Sequence, residues 1–477
     1  MKSDRVLDVI VIGGGPAGSA AAGFLAKEGL RVALFEREKF PRYHIGESLL
    51  PATTMGVLAK LGLTDKLASR GFPKKYGGTF LWGKVKEPWT FHFYRTDKLD
   101  RGLGDHPDYL HAYQVRRAEF DQMLLEHARG LGAAVREESA ALSIAGLGEA
   151  TKTVTVRLGR GRQASFRAPF VIDASGRAGI ASRLFGVRRY DPFFKNVAVF
   201  GYFEGGRRFP GERKGNIYCA AFRNGWFWYI PVSDELTSVG VVMAKKTFEG
   251  LKDPDLGGLL ARRIAECPSV AELLSQARPC RRAPYDRVRV EQDFSYCHTR
   301  FSHNGVFLAG DAACFIDPVF SSGVHLATYS GYLAAQAIIK TRQGLAPLEE
   351  ASREYDDLYR REYMAFYRFL VSFYEMHREP RSYFWAARKV VGRRELKSLD
   401  AFISIVSGTS TTGGKLFQNA DDLLRQARAG GRSLETLAGA AAGRAVDPAA
   451  LRTAREFMQP IHEGRRRIFK ELARENK

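Results

Sequence analysis

Two stretches of the sequence have residue types and spacing suited to chemistry. In the first, Gly13, Gly15 and Gly18 form GxGxxG within GGGPAG, with Pro16 and Ala17 inside the pattern. Glycines so placed allow a tight turn, close approach of a pyrophosphate and packing of a helix on a strand. The free N–H groups of the helix N-terminus then face the phosphates. In the second, GWFWYIP at residues 225–231 sets two tryptophans two residues apart. Read as a strand, it turns Trp226, Trp228 and Ile230 to one face and Phe227 and Tyr229 to the other, and Pro231 ends the run. Two indoles then wall off a single surface.

The elements that must position the glycines stand beside them. VLDVIVI (residues 6–12) predicts a strand before the turn and SAAAGFLAKEG a helix after it. A second strand, RVALFE, ends in Glu36, where a carboxylate accepts hydrogen bonds from a ribose. FAD and NAD share this opening, so later segments must decide between them. YQVRRAEFDQMLLEHA (113–128) reads as a strand end, a basic pair and an amphipathic helix, and VIDASGRAG (171–179) as an apolar strand ending in a polar turn. GVFLAGDAACFIDPVFSSGVHLATYSGYLAA (305–335) reads as a strand, Gly-Asp, an irregular stretch and a helix opened by Ser321, Ser322 and Gly323.

With 477 residues, 45% apolar and 12% aromatic, the chain has ample material for a buried core in two or three packed units. No apolar run approaches the roughly 18 residues that span a bilayer, and Asp8 interrupts what would be a signal peptide's apolar stretch, which predicts a cytoplasmic location. The cysteines, Cys219, Cys267, Cys280, Cys297 and Cys314, are odd in number and lack CxxC or Cys/His spacing, so neither a disulfide framework nor a metal site is expected. The formal charge of +21 suits an acidic partner. Basic residues are spread along the chain, with only short clusters such as Arg465, Arg466 and Arg467 and no nucleic-acid signature, so no nucleic-acid partner is expected.

Taken in order, the segments resemble the fingerprints of the FAD-dependent aromatic monooxygenase superfamily. That resemblance implies an α/β fold: a Rossmann-like FAD-binding domain of the aromatic hydroxylase type, an inserted mixed β-sheet on the substrate side and a C-terminal helical region. It divides the chain into residues 1–345 and a helical region 346–477, with flavin segments 1–80, 110–185 and 285–345 and a substrate-side sheet from 81–109 and 186–284. It implies that Arg117 reaches the FAD phosphates and Asp311 a ribityl hydroxyl, and that Asp173, Gly310, Pro318, Gly323 and Val324 line the cofactor. FPRYHIGESLLPAT (40–53) resembles a further flavin-site segment, bringing Arg42, Glu47 and Ser48.

Within that superfamily Trp-x-Trp-x-Ile-Pro distinguishes the flavin-dependent halogenases, and Trp226–Pro231 matches it in full. In the family's usual account the indole wall keeps substrate away from the flavin C4a-hydroperoxide, so that chloride takes the oxygen and the resulting HOCl travels to a lysine. GFPKKYGGTFLWG offers Lys74 and Lys75, and the family spacing Phe-x-x-Lys-x-Gly selects Phe72, Lys75 and Gly77; the ordinary alternative is that both lysines face solvent. Such a lysine either becomes a chloramine or stays protonated and hydrogen-bonds HOCl. Chloride is expected at the backbone N–H groups of Ser322 and Gly323, adjacent amides at a helix start. Tryptophan halogenases carry glutamate just before their Ser/Thr-Gly pair, and Phe320 stands there instead. The chain in this respect resembles the branch that modifies pyrroles and phenols, often on a carrier protein, in secondary metabolism such as antibiotic biosynthesis.

The resemblance thus implies reduced FAD from a separate NAD(P)H-dependent flavin reductase, together with O2 and chloride, and an acidic acyl or peptidyl carrier protein as a partner that the positive surface would attract. The alternatives are an aromatic hydroxylase using NAD(P)H directly, a reductase resembling geranylgeranyl reductases, and a non-catalytic flavin-binding assembly partner. Beyond residue 345, Tyr355, Tyr359, Tyr363, Phe366, Tyr367, Leu370, Phe373 and Tyr374 predict an aromatic stripe on one long helix, and 427–452 a Gly/Ala-rich loop with short helix.

Overall fold

In the computed structural model the described residues are 7–82, 87–93, 111–182, 185, 188–251, 255–292, 294–375, 402–403 and 405–408. The chain divides into two compact units, Met1–Phe417 and Gln418–Lys477. All of the second unit, with 427–452 and Arg465–Arg467, lies outside the described residues, as does all of 94–110.

A six-stranded sheet carries the glycine turn. Its order is Ser302–His303, Val306–Leu308, Phe170–Asp173, Val9–Ile12, Val32–Phe35 and Ala134–Arg136. All neighbours are parallel except the first pair. VIVI and VALF are buried throughout, as strands covered on both faces require. Helix Pro16–Lys27 follows the turn with proline in its first turn, where the missing N–H costs nothing. It packs directly on helix Ser322–Arg342 because Gly331 has no side chain: a Cβ there would stand 2.3 Å from Ala17 O.

The second large sheet has eight strands. Its path runs Arg278–Pro279, Asn196–Glu204, Leu236–Ala244, Gly225–Pro231, Ile217–Phe222, Gly77–Leu81 and Trp89–His92, with Arg289–Gln292 also pairing Asn196–Glu204. The pair Ile217–Phe222 and Gly77–Leu81 is parallel and the rest antiparallel, so the expected mixed sheet inserted between flavin segments is present. Alternation along Gly225–Pro231 sends side chains into two separate cores. Trp226, Trp228 and Ile230 join the core shared with the dinucleotide-binding part, while Phe227 and Tyr229 pack with Leu259, Leu260 and Val270 of helices Leu256–Ala265 and Pro268–Leu273. This is the period of two read from the sequence.

The aromatic stripe lies on helix Leu348–Glu375, and Tyr355, Tyr359, Tyr363, Phe366, Leu370 and Phe373 are buried. It packs along Ser322–Arg342. All five cysteines are free. Among the described residues no helix is long and apolar enough to cross a membrane, and no cluster of metal-ligating side chains occurs.

Candidate active site

The phosphate-type turn is built by close contacts. A Cβ at Gly13, whose φ is +99°, would stand 2.3 Å from Ala174 O, and one at Gly18 would stand 1.9 Å from Gly13 O. These glycines are required by packing. Gly15 differs: the one atom near a Cβ there is Arg42 Nη2, at 3.5 Å. Arg42 also reaches Asp121 at 3.2 Å, and Arg117 clamps the same carboxylate with Nε and Nη2 at 2.7 and 2.9 Å while Nη1 donates to Ile45 O at 2.7 Å. Arg42 is thus the guanidinium that overhangs the turn. Arg117, expected at the phosphates, is buried and spends its donors on Asp121 and the 45–46 backbone.

Glu36 accepts the Gly14 and Glu38 N–H groups at 2.6 and 2.8 Å, one on each oxygen, so each oxygen keeps a second lone pair. Asp173 turns to its own loop, accepting from Ser175 N at 3.0 Å and Ala181 N at 2.5 Å. Gly310 has φ +60° and donates to Ser330 Oγ at 2.8 Å, and burial pushes the neighbouring Asp311 carboxyl up to about 6. Glu47 accepts from Tyr202 Oη at 2.5 Å, and burial raises its carboxyl pKa. Ser48 Oγ is buried without a hydrogen-bond partner.

Lys74 and Lys75 form a two-residue strand paired with Ala112–Tyr113, and alternation separates them. Lys74 is exposed; Lys75 is 2% exposed. Lys75 Nζ donates to Leu49 O at 3.0 Å and Ser321 Oγ at 3.4 Å and lies 5.5 Å from the centre of the Phe93 ring. Burial pushes its amine down to about 7. Ser321 has a left-handed backbone, φ 58° and ψ 27°, and ends the tight Pro318–Phe320 turn. The next two residues, Ser322 and Gly323, open the 21-residue helix with their N–H groups before the first intrahelical bonds. Pro318 and Gly323 are partly exposed and Val324 is buried. A Cβ at Gly323 would press on the Phe315 ring at 2.8 Å.

The wall indoles have their N–H groups paired: Trp226 Nε1 donates to Tyr374 Oη at 2.6 Å and Trp228 Nε1 to Ser238 Oγ at 3.2 Å. Trp226 is 6.2 Å from Trp228 and 5.9 Å from Trp82, centre to centre. Phe320 sits against Phe80, Phe369 and Phe373, and Phe373 meets Trp82 at 4.7 Å, so the wall and Phe320 belong to one aromatic mass. Cys219 is the register partner of Trp228 and has its thiol 3.9 Å from Val319 O. At the strand's end, Pro231 lines a surface cleft of about 270 Å³ with Lys74, Tyr76 and Arg208.

The tryptophan halogenase family model matches residues 8–106 and 101–429. The chain belongs to that family. It is 32% identical to a tryptophan 2-halogenase of Chondromyces crocatus over 88% of this chain and 78% of that protein. It is also 32% identical to a 1H-pyrrole-2-carbonyl peptidyl-carrier-protein chlorinase of Pseudomonas fluorescens, over 79% of this chain and 85% of that protein. Among solved structures it resembles the myxobacterial chondrochloren halogenase CndH, an FAD-dependent halogenase variant, at TM-score 0.74 and 48% identity, covering 87% of this chain and 92% of that one.

As a flavin-dependent halogenase the protein uses FAD, and the residues present fit that group. The open Gly15 backbone beneath Arg42 leaves room for phosphate where Gly13 and Gly18 leave none, and the orphaned Ser48 Oγ is a buried polar atom awaiting a partner. Two residues, Asp317 and Trp82, go unread in the sequence, and Ser321 is read only as opening a helix. Asp317, Ser321 and Trp82 lie in segments already singled out, but only their three-dimensional neighbours distinguish them from ordinary loop and strand residues.

Proposed function

We propose that this halogenase chlorinates an electron-rich aromatic ring, a phenol or pyrrole, and that Lys75 delivers the chlorine. The observation that carries the reading is Lys75: a buried amine, lowered to about 7, hydrogen-bonded to the residue next to the Ser322–Gly323 amides. Bound FAD, reduced and supplied with O2, provides the oxidising equivalent that converts chloride to hypochlorous acid.

The chain's own residues do the rest. Arg42 and the Gly13–Gly18 turn hold the cofactor phosphates, with Glu36 and Asp311 for its hydroxyls. The Ser322 and Gly323 N–H groups hold chloride at the positive end of a helix. Trp226 and Trp228 separate oxidant from substrate. With its pKa near neutrality, Lys75 is partly a free amine at pH 7, which attacks HOCl to give an N–Cl bond and water. The ring then takes the chlorine and its displaced proton restores the amine. Protonated, the same nitrogen would instead hydrogen-bond HOCl.

Phe320 in place of an acid, and the carrier-linked pyrrole named for the Pseudomonas relative, favour a carrier-bound substrate over free tryptophan. The +21 surface would steer an acidic carrier. A separate flavin reductase supplies reduced FAD, in the cytoplasm, and the aromatic stripe of helix Leu348–Glu375 closes the aromatic pocket over Lys75. Mass spectrometry of free and carrier-bound phenols and pyrroles incubated with FAD, reductase, NADH, O2 and chloride tests the reading. Gain of chlorine supports it; gain of oxygen or hydrogen, or no change, overturns it. Equal rates on free and carrier-bound substrate, insensitive to salt, would remove the carrier alone.

A further inference from the structure

Asp317 is fully buried, three residues ahead of Phe320 and five ahead of Ser322. Its Oδ1 accepts the Val319 N–H at 3.0 Å, holding the Pro318–Phe320 turn, and its Oδ2 accepts from Asn196 Nδ2 at 3.3 Å. The remaining donor comes from a different part of the chain. Tyr374 Oη stands 3.1 Å from each carboxylate oxygen. The same hydroxyl accepts the Trp226 N–H at 2.6 Å.

The direction of this chain of bonds is forced. An indole nitrogen only donates and a carboxylate only accepts, so the single hydroxyl proton of Tyr374 goes to Asp317 and its lone pair receives Trp226. The tyrosine ring is fixed independently of these bonds, edge-on to Trp82 at 5.7 Å and to Phe194 at 5.4 Å. A rigid ring thus offers one hydroxyl to two features that are remote in sequence: the wall, and the turn that launches the Ser322–Arg342 helix.

We propose that Tyr374 is a positioning residue for halide capture: its hydroxyl couples the Trp226 indole to the Asp317 turn and so fixes where the Ser322 and Gly323 amides point. The inference rests on the reading of those amides as the halide site. A shift of a few tenths of an ångström in the turn redirects two N–H groups whose hold on an anion depends steeply on alignment.

The test uses the full-length protein loaded with oxidised FAD and titrated with bromide, followed by the visible spectrum of the bound flavin. No turnover is needed. Tyr374→Phe removes the hydroxyl and leaves the ring, and is expected to raise half-saturating bromide by about fivefold, the scale of one lost hydrogen bond. Asp317→Asn, which keeps the shape of the turn, should weaken bromide in the same direction. Trp226→Phe should do so to a smaller degree, and the double variant Tyr374→Phe/Trp226→Phe should be no worse than Tyr374→Phe alone, because both remove one chain of bonds. Tyr355→Phe, which loses a buried hydroxyl bonded to Leu308 O on the same helix, should leave bromide unchanged. Wild-type bromide affinity in both Tyr374→Phe and Asp317→Asn overturns the role of Tyr374 while the halide site stands. A wild-type flavin that ignores both bromide and chloride overturns the halide site itself, and this role with it.

Discussion

Lys75 Nζ lies 3.4 Å from Ser321 Oγ across 246 residues of sequence. The contact joins the short Lys74–Lys75 strand to the start of the Ser322–Arg342 helix, and so brings the candidate chlorine carrier to the candidate halide amides. Lys75→Ala should lower chlorination by about 10²–10⁴-fold, the usual scale for a lost proton-handling or nucleophilic group, with FAD still bound. Lys74→Ala should stay within about twofold, since its side chain is exposed. Product assays with flavin absorbance on both variants check this, and activity surviving in Lys75→Ala would end the assignment.

The Lys75 pKa of about 7 carries a pH signature. Folding lowers this pKa from 10.5, so between about 7 and 10.5 the unfolded chain binds the proton and the folded chain does not. Lys75 therefore adds a term by which stability rises with pH across that window, by up to about 1.4 kcal/mol per pH unit. Lys75→Met should remove the rise, seen by urea unfolding at pH 7, 8 and 9. In the single-turnover chlorination rate, the chloramine route predicts loss of activity as pH falls through 7, while the hydrogen-bonded route predicts none from this group.

Trp226→Ala or Trp228→Ala should increase the peroxide released per reduced flavin consumed, because the wall no longer excludes solvent or substrate. Each is nearly fully buried, so a stability loss of about 3–5 kcal/mol is expected and melting must be followed alongside. Unchanged coupling in folded variants would remove the wall's role.

The glycine turn separates folding from cofactor binding. Gly13→Ala meets Ala174 O at 2.3 Å in a left-handed backbone and should destabilise the apoprotein by more than about 2 kcal/mol. Gly15→Ala meets only the Arg42 guanidinium and should leave apoprotein stability within about 0.5 kcal/mol while weakening FAD at least tenfold. Calorimetry and FAD titration of both distinguish the two effects.

The flavin half of the fold was legible because each of its motifs sits on a regular element whose period shows in the sequence. VIVI, VALF and FVID became strands, and the helix read from Ser19 begins three residues earlier, at Pro16 inside GGGPAG. The two faces of GWFWYIP were likewise readable from alternation alone. What could not be read was convergence. The Asp317 carboxylate gains its meaning from Tyr374 and Asn196, and Ser321 its meaning from Lys75; pairs so distant in sequence leave no local pattern. Arg117 shows a different limit. The family resemblance implies a phosphate partner for it, and nothing local in the sequence signals that Asp121, one turn along the same helix, also pairs with its guanidinium.

Ser321 holds a backbone conformation that L-residues avoid, at a cost on the order of 1 kcal/mol, and glycine would adopt it freely. Ser321→Gly should therefore melt higher than the natural protein while taking away the hydroxyl that steadies Lys75. A programme that ranks variants by heat tolerance would promote this substitution and give up the Lys75 contact in doing so. If Lys75 delivers the chlorine, position 321 is where thermal robustness and turnover pull in opposite directions, which melting and chlorination of Ser321→Gly measured side by side check.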